Sequence, residues 1–100
     1  MKLQVHSIHF DADKKLVDFL QKKIDKLETF YDRIIDGEVY LRLEKNGAKE
    51  NKITQLKINI PGHSLFAKEQ AESFEAAADK AIEGIRRQLK RQKEKMYSQN

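Results

Sequence analysis

The sequence predicts an α+β fold, a two-layer β-α-β-β-β-α domain in which two helices pack on one face of a four-stranded mixed sheet. Four segments alternate apolar and polar residues with a period of two, which is typical of strands with one buried face. Two longer segments each carry one apolar stripe at helical spacing. Because every element has a single apolar side, placing both helices on the same face of the sheet buries all of these sides together.

The first strand and the first helix occupy the first third of the chain. Leu3 and Val5 alternate with polar neighbours, which predicts a strand over about Lys2–His9. Asp13 can cap a helix through its side-chain oxygen. The apolar stripe of this helix consists of Leu16, Leu20, Ile24, Leu27 and Tyr31. A helix in this place allows strand one to pair in parallel with a later strand through a right-handed crossover.

The middle of the chain predicts an antiparallel meander of three strands. Alternation over residues 39–44 and again over residues 55–60 indicates strands two and three, and the polar stretch 46–51 between them is expected to be a hairpin loop. The Pro61–Gly62 pair predicts a turn that ends strand three. A short fourth strand is expected near Ser64–Lys68, while the order of the strands in the sheet stays open.

The second helix is predicted to start after Ser73, which can serve as its N-cap, with Glu75 favourably placed in the first turn. Its apolar stripe consists of Phe74, Ala78, Ala81, Ile82, Ile85, Leu89 and Met96. We expect the helix to end near Lys95 and residues 97–100 to fray. Residues 1–96 then form one domain.

Composition restricts the class of protein. One hundred residues with 39% hydrophobic content can bury one core, and the absence of cysteine excludes disulfides and thiolate metal sites. No apolar run approaches the roughly 20 residues that span a bilayer, and no signal-peptide stretch follows Met1. We therefore expect a cytoplasmic protein without a membrane partner.

The net charge of +4 is concentrated near the C-terminus. Residues 84–97 contain six Lys or Arg residues and one acid, which is net +5, whereas the rest of the chain is net −1. A solvated helix face usually mixes charges of both signs. The local excess instead indicates a polyanionic partner, either nucleic acid or an acidic membrane surface.

A helical wheel centred on Ile85 places the cations of helix two over its whole exposed arc, from about 80° to about 240°. Lys80 shares this arc with five residues that we call the basic ridge: Arg86, Arg87, Lys90, Arg91 and Lys93. Cations on every exposed side suit phosphates that arrive from two sides, as in a groove of folded RNA. Membrane binding would need large apolar groups beside the cations, but this helix uses its apolar stripe in the core.

Groups that could support catalysis or metal binding do not converge in the sequence. His6 and His9 point to opposite faces of the predicted strand and have no acid at ligand spacing. His63 lies in the turn after Pro61–Gly62, where a surface histidine is the common case, and the isolated glycines form no phosphate-binding loop. We expect no enzyme activity, no metal, no cofactor and no small-molecule substrate.

Two other surfaces of the predicted domain are less suited to nucleic acid than the basic ridge. A reader of duplex DNA needs amide side chains at base edges, but Gln88 and Gln92 lie close to the buried stripe. The sheet face turned away from the helices, which we call the open face, is predicted to show Gln4, His6, Tyr40, Arg42, Lys57 and Asn59. Tyr40 is the one Phe, Tyr or Trp residue among these six, and a platform for stacking bases usually has more aromatic side chains.

Three segments carry a resemblance to a known family. They are the opening strand, KKIDKLETFYD at 22–32, and ESFEAAADKAIEGIRRQLKRQK at 72–93, of which the last is the most specific. The chain resembles the ribosome hibernation promoting factor family, which includes the ribosome-associated translation inhibitor and was once described as a modulator of the nitrogen sigma factor. The likeness covers nearly the whole chain.

The resemblance implies a β-α-β-β-β-α fold and a cytoplasmic monomer that binds the small ribosomal subunit in the channel for messenger and transfer RNA. It implies inhibition of translation and preservation of idle ribosomes under stress or in stationary phase. The expected partners are 16S ribosomal RNA and the ribosomal proteins that line the channel. Long members of the family add a second domain that pairs two ribosomes; this chain resembles a short form, so its part in ribosome dimerisation stays open.

Candidate contact residues follow by position. The resemblance implies RNA contacts for Arg87, Arg91 and Lys93, flanked by Lys23 and Lys26 of helix one. The wheel adds Arg86 and Lys90. A competing hypothesis makes the protein a regulatory adaptor, a sigma-factor modulator whose basic helix binds an acidic protein partner.

Overall fold

The structure, a computed structural model, describes residues 2–8, 10–46 and 49–98. Its elements follow the predicted order, β-α-β-β-β-α. Their bounds are β1 Leu3–Ser7, α1 Lys14–Phe30, β2 Asp36–Asn46, β3 Lys49–Ile60, β4 His63–Ala71 and α2 Phe74–Ser98. His9 and the connection at 47–48 lie outside the described residues. β1 ends at Ser7, two residues before the end predicted for strand one.

The four strands form one mixed sheet in the order β1-β2-β3-β4. β1 pairs in parallel with β2, and β2, β3 and β4 form the predicted antiparallel meander. Gly62 has a φ of 80°, which glycine adopts without the strain that a Cβ would bring, and it follows Pro61 in the turn that joins β3 to β4. The predicted turn and the predicted parallel pairing are both confirmed.

Both helices pack on the same face of the sheet. One cluster of buried side chains joins Leu20 and Ile24 of α1 to Ile85 and Leu89 of α2 and to Leu56 at the centre of the sheet. The predicted caps are confirmed as well. The backbone N–H of Leu16 donates to Asp13 Oδ1 at 2.8 Å, and that of Ala76 donates to Ser73 Oγ at 3.0 Å.

Several predicted boundaries were wrong. The hairpin at 46–51 contains no six-residue loop, because β2 continues to Asn46 and β3 begins at Lys49, with these two residues paired. Similarly, β4 is nine residues long and reaches Ala71. The end of β2 extends past the cover of the helices, since Leu43, which faces the helix layer by alternation, is 43% exposed. Polar residues are therefore tolerated on both faces, and alternation fails as a signal.

The second helix also ends later than predicted, at Ser98 instead of near Lys95. Its last turns pack against the end of α1, where the sulfur of Met96 lies 3.7 Å from the hydroxyl of Tyr31. Met96 was expected to face the sheet, but it is 39% exposed. The sheet ends before α2 does, so the last part of the apolar stripe meets helix α1 instead.

Candidate nucleic-acid interface

The basic ridge faces away from the sheet because α2 buries its opposite side. Its buried residues are Phe74, Ala77, Ala78, Ala81, Ile82, Ile85 and Leu89. Arg86, Arg87, Lys90 and Arg91 are exposed and Lys93 is half-buried. The predicted arrangement of the basic ridge is therefore present, with one edge beside α1 and the other beside β4.

At the edge beside α1, one aromatic ring contacts two cations of the basic ridge. The guanidinium carbon of Arg86 lies 4.8 Å from the centre of the Phe30 ring, and the ammonium of Lys93 lies 4.5 Å from it. The same ammonium donates a hydrogen bond of 2.8 Å to the backbone carbonyl of Phe30. Phe30 is the last residue of α1, so Lys93 satisfies one of the carbonyls that the end of that helix leaves without an intrahelical partner.

Lys23 of α1 is also engaged within the protein. Its ammonium lies 3.2 Å from Asp79 Oδ1 of α2 and 5.5 Å from the centre of the Phe19 ring. We call Lys23, Arg86 and Lys93 the held cations, since each contacts a carboxylate, a backbone carbonyl or the face of an aromatic ring inside the domain.

A groove of about 310 Å³ runs between the two helices beside the held cations. Lys26, predicted to flank the RNA site, lines this groove together with Lys23 and Arg86, and Asp79 and Glu83 line it as well. The structure thus brings both predicted residues of α1 next to α2. Because two carboxylates share the groove, its floor is less favourable for phosphate than the outer surface of α2.

At the other edge, α2 packs closely against β4. A Cβ atom added at Gly84 would lie 3.5 Å from Ala67 Cβ, which is an ordinary contact distance. Gln88 Nε2 donates to the Phe66 carbonyl at 2.8 Å. Gln88 ties the helix to the edge strand, so it is poorly placed to read a base edge.

Three cations between these edges differ from the held cations. Arg87, Lys90 and Arg91 are exposed, and none forms a hydrogen bond or an ion pair with any residue that the structure describes. We call them the free cations. Arginine offers a planar fork of N–H donors that matches two phosphate oxygens, and lysine offers a compact charge. These three groups can therefore meet phosphates without breaking an internal contact.

The open face carries the six residues predicted for it, because the register pairs His6 with Tyr40 and Tyr40 with Gln55. Its aromatic content was underestimated. The rings of His6 and Tyr40 stack at 4.7 Å, and Phe66 is 53% exposed next to the Lys57 ammonium, 5.8 Å from its ring centre. The alternation of Phe66 with buried Leu65 inside the predicted strand four was a signal for this position, and it was missed because the predicted open face included residues of strands one to three only.

The Tyr40 hydroxyl lies on the open face and forms a short hydrogen bond that keeps it protonated. Tyr40 donates a 2.5 Å hydrogen bond from its hydroxyl to Glu38 Oε2. This hydrogen bond raises the pKa of Tyr40, and desolvation and the negative charge of Glu38 raise the pKa further. The phenol therefore remains a neutral hydrogen-bonding group near neutral pH.

Comparison with known proteins agrees with this architecture. The family model described as Sigma 54 modulation protein / S30EA ribosomal protein matches residues 3–97. The chain belongs to this family. A member from Pseudomonas putida strain KT2440, named ribosome hibernation promoting factor, is 29% identical over 98 residues, which cover 98% of this chain and 92% of that protein. The resemblance inferred from the sequence is confirmed at the level of the family.

Two solved structures share the fold. A ribosomal subunit interface protein from Coxiella burnetii superposes with a TM-score of 0.83 at 19% identity, covering 93% of this chain and 98% of that one. The N-terminal domain of Protein Y from Thermus thermophilus gives a TM-score of 0.75 at 22% identity, covering 90% and 93%. The predicted fold class is therefore confirmed.

Within residues 2–8, 10–46 and 49–98, no helix combines the length and apolar character needed to cross a membrane. The same residues contain no cluster of three or more side chains of the kinds that hold a metal ion.

Proposed function

We propose that the protein is a ribosome hibernation factor that binds the small ribosomal subunit in the channel used by messenger and transfer RNA. In this proposal it blocks translation and preserves idle ribosomes under stress or in stationary phase. The observation that carries the proposal is the set of free cations on the exposed side of α2, in a chain whose relatives are named ribosome hibernation promoting factor. Because the ribosomes lie in the cytoplasm, the protein acts there in this proposal.

The geometry of the basic ridge supports folded RNA as the partner. Arg87, Lys90 and Arg91 are fixed on a rigid helix whose other side is anchored by Ile85 and Leu89, both fully buried. Their positions change little when RNA binds, so little conformational entropy is lost apart from that of the side chains themselves. A helix with cations on several exposed sides fits between RNA segments, as at 16S ribosomal RNA and the ribosomal proteins lining the channel.

The held cations have a second role in this proposal. Arg86 and Lys93 contact Phe30, and Lys23 contacts Asp79, so these contacts fix α1 against α2 and set the width of the groove between them. Each retains donor capacity for phosphate, since one ammonium has three N–H groups and one guanidinium has five. We expect them to contribute less to affinity per residue than the free cations.

Binding alone accounts for this function, because an occupied channel excludes messenger and transfer RNA without any bond being made or broken. The protein is then a stoichiometric inhibitor that acts as a monomer. Its affinity depends on released counterions, so it falls steeply as salt rises.

The proposal is tested by sedimenting the purified protein with ribosomes and with separated subunits through sucrose. We expect it to travel with whole ribosomes and with the small subunit at low salt. Its affinity for them should fall by orders of magnitude between low and moderately high salt. Failure to travel with the small subunit at low salt would contradict the proposal.

The adaptor hypothesis predicts a different result, and the description of the family, which names Sigma 54 modulation, keeps it as the second candidate. An adaptor would bind an isolated acidic sigma factor in the same buffer and would itself stay in the supernatant when the ribosomes sediment. Running both mixtures side by side separates the two hypotheses with one preparation of protein.

A further inference from the structure

The open face lies on the side of the sheet opposite to both helices, and the proposed function assigns it no role. The helices cover the face that carries Val39, Leu41 and Leu56, and all three are fully buried. The alternate residues of the same strands, among them Gln4, His6 and Lys57, point the other way.

Aromatic rings occupy two places on this face. His6 on β1 and Tyr40 on β2 are cross-strand neighbours whose rings stack at 4.7 Å with an interplanar angle of 18°. Phe66 on β4 is 53% exposed, which costs free energy for a ring of this size in water. Phe66 lies two strand spacings across and two residues along the strand direction from Tyr40, or roughly 12 Å away.

Cationic side chains lie beside these rings. Lys57 is the cross-strand neighbour of Phe66, with its ammonium 5.8 Å from the ring centre, and Lys68 is two residues along the same strand as Phe66. Arg42 lies two residues along β2 from Tyr40, on the same face. Glu38 accepts the hydrogen bond of the Tyr40 hydroxyl and retains a lone pair that can accept from the amino group of a base.

We infer that the open face binds an unpaired segment of RNA, with bases stacked on the His6–Tyr40 pair and on Phe66. Isolated rings flanked by amines on a four-stranded sheet are the arrangement by which other sheet proteins hold single strands, since every base has a face that can stack and each nucleotide brings one phosphate. A protein partner would favour a contiguous apolar patch, but the side chains around Phe66 are polar or charged.

This inference rests on the proposed function, which identifies the source of the RNA. The source is an unpaired segment of small-subunit RNA near the bound domain. The inference predicts that the domain contacts RNA on two opposite sides, through phosphates at the free cations and through bases at the open face. The two contacts differ in chemistry, so they can be measured separately.

The test is a nuclear magnetic resonance titration of the isotope-labelled full chain at low salt with two probes. One probe is an eight-nucleotide oligouridylate, which has bases and phosphates, and the other is inorganic polyphosphate, which has no bases. We expect the oligouridylate to shift the amide and ring signals of His6, Tyr40 and Phe66. Polyphosphate can meet the free cations and the cationic side chains of the open face but cannot stack, so it should shift signals from α2 and leave the ring signals of His6, Tyr40 and Phe66 in place. Equal patterns from the two probes, or no response of the open face to the oligouridylate, would overturn the inference.

A pair of variants sharpens the test. Phe66→Ala removes an exposed stacking surface and should lower oligouridylate affinity roughly 5- to 100-fold. Leu43→Ala is the matched control, because Leu43 is also an exposed apolar residue of the sheet but lies on the opposite face. It should leave the affinity unchanged within about two-fold. Equal losses in the two variants would contradict stacking on the open face.

Ribosome sedimentation of the same variants keeps this inference distinct from the proposed function. If the open face responds to oligouridylate but the unmodified protein does not travel with ribosomes, the proposed function fails and the binding of single strands stands. If Phe66→Ala weakens ribosome binding while oligouridylate leaves the open face unchanged, that face contacts a ribosomal protein, and the inference of RNA is wrong.

Discussion

Arg91 and Lys93 are two residues apart on the same helix, yet their surroundings differ. Arg91 is exposed and forms no hydrogen bond or ion pair with a described residue, whereas Lys93 is half-buried, donates to the Phe30 carbonyl at 2.8 Å and lies against the Phe30 ring. The difference follows from the helix period, which turns one residue to solvent and the other toward α1. A count of positive residues therefore overestimates how many are available to RNA, because some of them hold the two helices together.

The largest expected effect comes from reversing the free cations together. Arg87→Glu, Lys90→Glu and Arg91→Glu in one chain should lower ribosome affinity at low salt by roughly two orders of magnitude or more, since attraction to phosphate becomes repulsion. The fold should persist because none of the three forms a hydrogen bond or an ion pair with another described residue. Sedimentation and circular dichroism measure the two properties.

The control for this variant reverses the same number of charges on α1. Lys14, Lys15 and Lys22 are exposed on that helix and lie outside the basic ridge. Changing all three to Glu should weaken ribosome binding much less than the first variant does. If the two variants lose the same affinity, only net charge matters, and the free cations are not a specific contact surface.

The comparison between Arg91 and Lys93 is tested by removing each charge alone. Lys93→Met keeps an apolar stem but loses the hydrogen bond to Phe30, so urea unfolding should show a loss of about 1 kcal/mol. Arg91→Met should change stability by no more than about 0.5 kcal/mol, yet it should lower ribosome affinity about 5- to 10-fold, more than Lys93→Met does. Equal effects of the two changes on stability would show that Lys93 is not held.

A smaller effect is expected from the ring that contacts two held cations. Phe30→Leu removes the aromatic face beneath Arg86 and Lys93 and should lower ribosome affinity about two- to five-fold by loosening both side chains. The same change should matter less when Arg86 is already Met, because one of the two contacts is then absent. Identical losses in both backgrounds would mean that Phe30 acts on binding in some other way.

The fold was predictable because its signals are local. Alternation around Val39 and Leu56 and the stripe through Leu20 and Ile24 each depend on neighbours within a few residues, and burial then acts on them in the expected way. The end of β2 was misread because Glu44 and Lys45, which alternate between the two faces of the sheet, are both exposed, so polar residues there carry no information about direction.

The candidate site was only partly predictable, and the reason is distance along the chain. The helical wheel predicted the exposed arc of α2 from the sequence of that helix alone. Lys93 and Phe30 are 63 residues apart, and their hydrogen bond depends on how α1 lies against α2, which no spacing within either segment reports. The charge pattern could therefore show where cations are but not which of them are held.

The smallest expected effect tests the last held cation. Asp79→Asn removes the partner of Lys23 and a carboxylate from the groove, so ribosome affinity should rise by up to about two-fold, while stability changes by less than about 0.5 kcal/mol, as is usual for an exposed ion pair. Asp18→Asn, which removes the same charge from the exposed side of α1, is the control. A larger gain for Asp79→Asn at low salt, lost at high salt, is expected if the freed Lys23 reaches phosphate. Equal gains in both variants would mean that Lys23 stays a structural residue even without its partner.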